Sequence, residues 1–422
     1  MIQSQHLKIN LASWIKYFMK FFKLAYVNLD ETIYLSLVTI LVPCLNFLPG
    51  LVIDMYAPSM PKIAQNLNVS ADLVKNTITV TIFGYAVGAI ILGVLFDILG
   101  RKRVIIINLS LFILVSLLGA SSTSINELII VRFIQGLTAS AISIGGRITI
   151  ADHFTGPRLR ISILYTSFAF GIGTVIAPFI GGYIQDRFGW QSNFYAFIIC
   201  GIILLLLHSI FIQERYQRKP QYTLRSFLTI YKTILSHKTF ISGVVILIFS
   251  QLQIMFYPTI VPFIIERQFG DSATIYGDTA LFVGCGYLFG TITNRILLPY
   301  MNQNKLLNLG LIILVCASIL QLIFALYFQF SLWTLVIPII LICYGVGFLV
   351  GNISSTCISL FPNNVGLLNS IQLTIVMLFS SIGNFIVSHL NINTLSDLFW
   401  VFLVFVAIQT LVYLSIFRKN IL

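Results

Sequence analysis

The sequence predicts an all-α integral membrane protein built as two six-helix bundles, on three observations. Of its 422 residues, 58% are hydrophobic and 9% are charged, against roughly a quarter charged in soluble domains. The apolar residues fall into twelve runs of membrane-spanning length, about 18 to 25 residues each. The longest polar connection lies between the sixth run and the seventh. A soluble globular enzyme is excluded: a mean hydropathy of +0.96 and 35 Phe leave more apolar surface than water would cover.

Taken in order, residues 1–33 form an amphipathic interfacial segment on the cytoplasmic side. Leu11, Trp14, Phe18, Phe21, Phe22 and Ala25 share one side of a helical wheel and Lys16, Lys20 and Lys23 the other, the pattern of a helix lying flat on an anionic leaflet. Lysines interrupt its apolar part and no small-residue cleavage site follows, so no processed leader is expected. The spans are expected at 34–57, 73–96, 104–121, 127–150, 161–184, 192–213, 239–265, 274–298, 306–328, 332–355, 365–388 and 395–417. An N-terminal bundle then occupies 34–213 and a C-terminal bundle 239–422. The linker between them, 214–238, is basic, with Arg215, Arg218, Lys219, Arg225, Lys232 and Lys238.

The formal charge of +12 comes from 25 Lys and Arg against 13 Asp and Glu. The basic residues sit in short loops and form no groove or stripe, so no nucleic-acid partner is expected. Nineteen fall on the side of the N-terminus; the other side has Lys62, Arg187 and Arg267, and Lys75, Arg132 and Arg147 lie within spans. The positive-inside rule therefore puts both termini and the linker in the cytoplasm. Cys44, Cys200, Cys285, Cys316, Cys343 and Cys357 all lie in apolar runs without ligand spacing, so they read as packing residues and neither a metal site nor a disulfide framework is expected. No metal-ligand, Ser/His or paired-carboxylate constellation supports an enzyme, and no cofactor is expected. His208 and His389, with no acid at helical spacing, read as lone satisfied histidines.

The second span ends in Gly93-Val-Leu-Phe-Asp97-Ile-Leu-Gly100-Arg101-Lys102-Arg103. Its glycines allow two helices to meet closely and turn sharply, and Asp97 can accept from a helix N-terminus or pair with an Arg. The run resembles the signature loop G-x-x-x-D-R-x-G-R-K/R of the major facilitator superfamily, departing from it where Ile98 replaces Arg. Gly93, Asp97, Gly100, Arg101 and Arg103 are thus the gating candidates, with Asp97 latching a cytoplasmic gate. After the eighth span, Gly290-Thr-Ile-Thr-Asn294-Arg295 repeats the loop weakly, with Asn294 in place of the acid, as a parallel-repeat transporter retains.

Within that superfamily, Asp54-Met55-Tyr56-Ala57-Pro58-Ser59-Met60-Pro61 resembles the D-M-Y-x-P-x-x-P stretch of the bicyclomycin/chloramphenicol-resistance (Bcr/CflA) branch of drug:proton antiporters. Arg132-Phe-Ile-Gln135-Gly136 matches its R-x-x-Q-G, and Gly171 to Gly182 is similar to its antiporter motif. Gly189-Trp190-Gln191 and the stretch Phe361 to Gln372 look like the same branch. The resemblance spans the chain and is dense over residues 45–195. It implies a major facilitator fold, two six-helix bundles around a central cavity. It also implies a monomeric bacterial inner-membrane transporter in the lipid bilayer that exchanges a small molecule for protons by alternating access.

A charge at bilayer depth costs about 2.5–3.5 kcal/mol on insertion scales, so Asp54 and Arg132 need an explanation. The first span runs outward and the fourth inward, which places both side chains at similar depth and leads to the expectation that they share one water-accessible cavity. Low dielectric raises the proton affinity of an Asp and an approaching Arg lowers it; these two are the proton-coupling candidates. An interfacial helix-end acid is the structural alternative for Asp54. In the fifth span Gly173, Ala177 and Gly181 recur at helical spacing as a small-residue ridge, and Pro178 permits a kink. Gly286 and Gly290, then Gly347, Gly351 and Ser355, repeat the device. The resemblance implies that the fifth helix packs across the interface between halves. Candidate substrate contacts are Asn46, Tyr56, Tyr85, Gln135, Gln251, Gln253, Tyr257, Asn352, Gln372 and Asn384. One acid among many aromatics suits amphipathic neutral or cationic molecules. The expected function is proton-driven export of such a compound. On the same fold the alternatives are a carrier, importing or exporting, for a siderophore, sugar or amino acid derivative, and then a membrane sensor that does not translocate.

Overall fold

The computed structural model describes residues 30–215, 232–270, 272–361, 365–390, 392 and 394–417. The amphipathic stretch expected before residue 30 and most of the linker lie outside them. Among the described residues the regular structure is helical throughout, and twelve stretches are long and apolar enough to cross a membrane.

The first span is three helices rather than one: α1 (Glu31–Cys44), α2 (Phe47–Asp54) and, after a 3-10 turn at Ala57–Ser59, α3 (Met60–Leu67). It reaches Asn66, well past the expected end at 57, because its prolines punctuate the helix without ending the span. Pro49 has no N–H for the Leu45 carbonyl, where α1 stops, and Pro58 none for the Asp54 carbonyl, where α2 stops. Pro58 and Pro61 then sit in the first turns of the elements they open, where a missing N–H costs nothing.

The remaining spans are single helices: α4 (Ala71–Leu99), α5 (Arg101–Ala120), α6 (Ile125–His153), α7 (Gly156–Phe188), α8 (Gln191–Phe211), α9 (Lys238–Phe269), α10 (Ala273–Leu297), α11 (Gln303–Tyr327), α12 (Leu332–Ser359), α13 (Val365–Ser388) and α14 (Leu395–Val412), the last widening into a π turn at Tyr413–Phe417. We call the end of the molecule that holds Glu31, the α4–α5 turn and Phe417 the terminal face, and the other end the opposite face. Three helices that begin at the opposite face start with capping boxes, Ser124/Glu127 for α6, Ser331/Thr334 for α12 and Thr394/Asp397 for α14, which satisfy amides that would otherwise lack partners. Ile40, Ile130, Phe289 and Leu411 are more than half exposed around the bundle, as a lipid solvent requires.

Both halves use the same close helix pair. A Cβ at Gly136 of α6 would overlap the Thr81 carbonyl of α4, and one at Gly290 of α10 the Tyr344 carbonyl of α12, so second packs on fourth and eighth on tenth with backbones touching. The ridge expected in α12 ends at Gly347: Gly351 meets nothing and Ser355 is exposed. Helix α7 lies between the halves. Gly173 and Gly181 press on the backbone of the first span at Phe47 and Met55, whereas Gly182 meets Ala273, and the Pro178 carbonyl meets Gly277, both in α10. Ala177 of the same ridge is fully buried. The two sets of six spans join chiefly along α7–α10 and α4–α13.

Candidate functional site

Asp54 is the last residue of α2, at the proline break. It is half-buried and, among the described residues, has no hydrogen bond or ion pair. Its carboxylate acts electrostatically on Tyr276 of α10, in the other half. Tyr276 is buried and stacks on Tyr257, with centroids 5.4 Å apart and planes at 26°; the Tyr257 hydroxyl donates to Thr279 Oγ1 at 2.6 Å. Asp54 is thus an acid without a partner among the described residues, close in the chain to the 3-10 turn that meets α10 of the other half.

Arg132 is fully buried, donates from Nη1 to Gln135 Oε1 at 2.9 Å, and lies 4.3 Å above the Tyr56 ring. Gln135 in turn donates to Ser116 Oγ at 2.9 Å, and Tyr56 accepts from Thr77 at 3.0 Å. Arg132 thus bonds to Gln135 and sits over Tyr56, both in the first half, and makes no ion pair with Asp54 among the described residues. It touches the first span at Tyr56, two residues beyond Asp54, where the ring quadrupole attracts it. Arg132 Nε and Nη2 are buried without partners, a departure from the usual satisfaction of buried groups.

Most expected substrate contacts lie inside the bundles. Asn46 accepts from Ser143 at 2.8 Å, Gln253 donates to Gln409 at 3.1 Å, Gln372 to Ser354 at 2.7 Å and Asn352 to Asn294 at 2.8 Å. With Tyr56 and Gln135, these residues tie neighbouring spans of one half rather than line open space, because a polar group between apolar helices finds a helix partner first. Asn384 bridges the halves, donating to Thr79 Oγ1 at 2.8 Å. Tyr85 and Gln251 are half-buried. Arg147, not singled out from sequence, acts electrostatically on Tyr85, and its Nε is buried without a partner. His208 is not satisfied as expected, since both ring nitrogens are buried without partners; His389 Nδ1 reaches the Phe385 carbonyl at 2.8 Å. All six cysteines are free, and among the described residues no group of His, Cys, Asp and Glu could hold a metal ion.

At the terminal face the α4–α5 turn forms a charged corner. Gly100 has φ of +91°, a conformation reserved for glycine. Beyond it Arg101 is buried and pairs with Asp97 at 2.7 Å and with Asp152 of α6 at 3.0 Å. Glu214, just after α8, caps α5 by accepting from the backbone of Arg101 at 3.1 Å and Lys102 at 2.8 Å. Of the gating candidates, Asp97, Gly100 and Arg101 meet here; Gly93 lies within α4, and Arg103 is exposed. Sequence reasoning missed Asp152 and Glu214, although alternating topology returns both helix ends to this face. In the second half the equivalent corner is neutral. Asn294 accepts from Asn352, while Gln303 donates to the Asn352 carbonyl at 2.6 Å and Thr356 Oγ1 at 2.7 Å.

The opposite face is closed by bonds between halves. Ser388 donates to Asn76 at 2.9 Å, Lys75 to the Ser388 carbonyl at 3.3 Å, Gln65 to Glu266 at 2.5 Å, and the amides of Ala273 and Thr274 to Asp186 at 3.3 and 2.9 Å. A cavity of about 350 Å³ opens among Lys62, Asp186, Glu266 and Tyr276.

The sequence matches the Major Facilitator Superfamily over residues 44–388. It is 36% identical over 172 residues to an uncharacterized MFS-type transporter of Bacillus subtilis, covering 40% of this chain and 43% of that one. It is 23% identical over 397 residues to a bicyclomycin resistance protein homolog of Haemophilus influenzae, covering 89% of this chain and 95% of the relative. The crystal structure of a D-xylose–proton symporter superposes with a TM-score of 0.73 at 16% identity, over 90% of this chain and 97% of that one, a likeness of fold.

Proposed function

The chain belongs to the major facilitator superfamily, and we propose that it exports a small amphipathic drug-like compound in exchange for protons. The bicyclomycin-resistance relative, matched along nearly its whole length, supports the substrate class. The observation that carries the mechanism is Asp54: an acid without a partner among the described residues, at a helix break close to the seam where two six-span halves, 34–213 and 239–422, would rock against each other. In this reading Asp54 takes up and releases the proton. Arg132 acts through Tyr56, fixing the first span so that the carboxylate keeps its place, and the charged corner around Asp97 and Arg101 biases the gate at the terminal face. Tyr85 and Gln251 supply half-buried surface on which an amphipathic molecule would rest.

The same reading puts the protein in a bacterial inner membrane as a monomer, with the terminal face cytoplasmic, which the basic asymmetry supports. Reporter fusions after Gln217 and after Leu422 are expected to signal cytoplasm; a periplasmic signal at either contradicts the orientation. The function is tested in proteoliposomes with a pH-sensitive dye. Adding a drug-like substrate should move protons opposite to the substrate. Movement in the same direction makes the protein a symporter, and no proton movement during verified transport removes the coupling.

A further inference from the structure

Resting on the alternating-access reading, we propose that Asp186 is the latch of the gate at the opposite face and that Tyr276 is the plug this latch holds in place. Asp186 stands at the end of α7, in the first half. Its carboxylate accepts from the Ala273 amide at 3.3 Å, from the Thr274 amide at 2.9 Å and from the Thr274 hydroxyl at 2.5 Å. Ser272 Oγ takes the next amide, Ile275, at 3.2 Å. The first amides of a helix have no partner within it, and a carboxylate there gains both hydrogen bonds and the favourable end of the helix dipole. Here the carboxylate comes from the other half, so parting the halves at this face strips the first turn of α10. Directly below, α7 and α10 touch through Gly182 at Ala273 and Gly277 at Pro178, with no side chain between the backbones. The two helices move as one while the cap holds.

Tyr276 follows directly on the capped amides of Ala273, Thr274 and Ile275. It is 2% exposed, lines the 350 Å³ cavity and lies within electrostatic reach of Asp54. As the plug, its ring stands between that cavity and Asp54. Asp186 holds α10, and α10 holds Tyr276 over Asp54; breaking the cap frees the ring and opens a path from Asp54 outward. The neighbouring bridges act elsewhere. Thr79–Asn384 and Asn76–Ser388 join α4 to α13, Gln65–Glu266 joins α3 to α9, and Lys75 is paired with Asp72 at 3.1 Å.

The test uses the full chain with its six cysteines replaced, reconstituted in lipid. Spin labels at Asn66→Cys and Gln268→Cys, both exposed, read the separation of the halves at the opposite face. Asp186→Ala is expected to increase the ratio of wide to narrow separations roughly tenfold, the scale of a lost helix cap. Asp186→Asn, which keeps the shape and one acceptor, should fall between, and Asp186→Glu should stay near the parent. An unchanged distribution in a folded Asp186→Ala or Asp186→Asn protein overturns the latch. The plug is read separately, by the reaction of Asp54→Cys with a membrane-impermeant maleimide added at the opposite face of oriented proteoliposomes. Tyr276→Ala should accelerate labelling at least about tenfold without changing the spin-label distances; unchanged labelling overturns the plug. Neither readout needs transport, so a failure of proton-coupled export in the parent protein counts against the proposed function and leaves the gate to be judged by these distances and rates.

Discussion

The α4–α5 corner and its counterpart between α10 and α12 occupy the same place in their halves, yet one is held by ions and the other by amides. In the first half a buried Arg101 lies between Asp97 and Asp152, with Glu214 capping the helix start. In the second, Asn294, Asn352 and Gln303 make the corresponding links without charge. The glycine contacts below them match, Gly136 on Thr81 and Gly290 on Tyr344, so the repeat keeps its backbone geometry and has let its electrostatics diverge. Geometry at a backbone contact tolerates almost no change, since any Cβ overlaps a carbonyl. A polar corner at the membrane edge can be satisfied by several chemistries. The difference teaches that the halves are unequal in what can bias them: removing one ion from the first corner leaves a buried charge, whereas the second has none to leave.

The largest expected effect follows from that inequality. Asp152→Ala leaves the buried Arg101 guanidinium with Asp97 and the Phe96 carbonyl alone and should destabilise the protein by about 1.5–3 kcal/mol, whereas Asn352→Ala in the other corner should cost about 1 kcal/mol. Thermal melting in detergent compares them, and equal losses would erase the contrast. A smaller change sharpens it. Asn294→Asp puts a carboxylate at a 9% exposed position whose hydrogen-bond partner, Asn352, is neutral, at a cost of about 1–3 kcal/mol. Adding Gln303→Arg in the same protein should recover most of the loss; no recovery means that the corners differ in more than charge. The smallest effect on stability is expected at Asp97, whose side chain is 57% exposed. Asp97→Asn should change stability by no more than about 1 kcal/mol while slowing turnover, with substrate affinity kept within a small factor because a gate residue biases conformations without touching ligand. Normal turnover would remove Asp97 from the gate.

Twelve spans were legible in the sequence because hydropathy over a span is a sum that few substitutions upset. The break of the first span was not, since Pro43, Pro49, Pro58 and Pro61 can each sit in a helix, open one or end one, and only neighbouring helices decide. The corner motif pointed to Asp97 and Arg101 but not to Asp152 or Glu214, which lie 51 and 113 residues from Arg101. Local spacing carries no information about them. Polar residue type led to ten expected substrate contacts, and it could not tell a side chain facing the seam from one facing a sister helix. Asn46, Gln135, Gln253 and Asn352 found partners within their own half, whereas Asp54, adjoining a proline break, did not.

On the proposed mechanism Asp54 is where the driving force enters, and its isosteric replacement is the most direct test. Wild-type protein in proteoliposomes, given a pH gradient, should accumulate a substrate against its concentration difference. Asp54→Asn fixes the side chain in its neutral form, so accumulation should be lost while exchange of labelled for unlabelled substrate continues. Accumulation that persists in Asp54→Asn at the wild-type level contradicts the account and moves the proton to another residue.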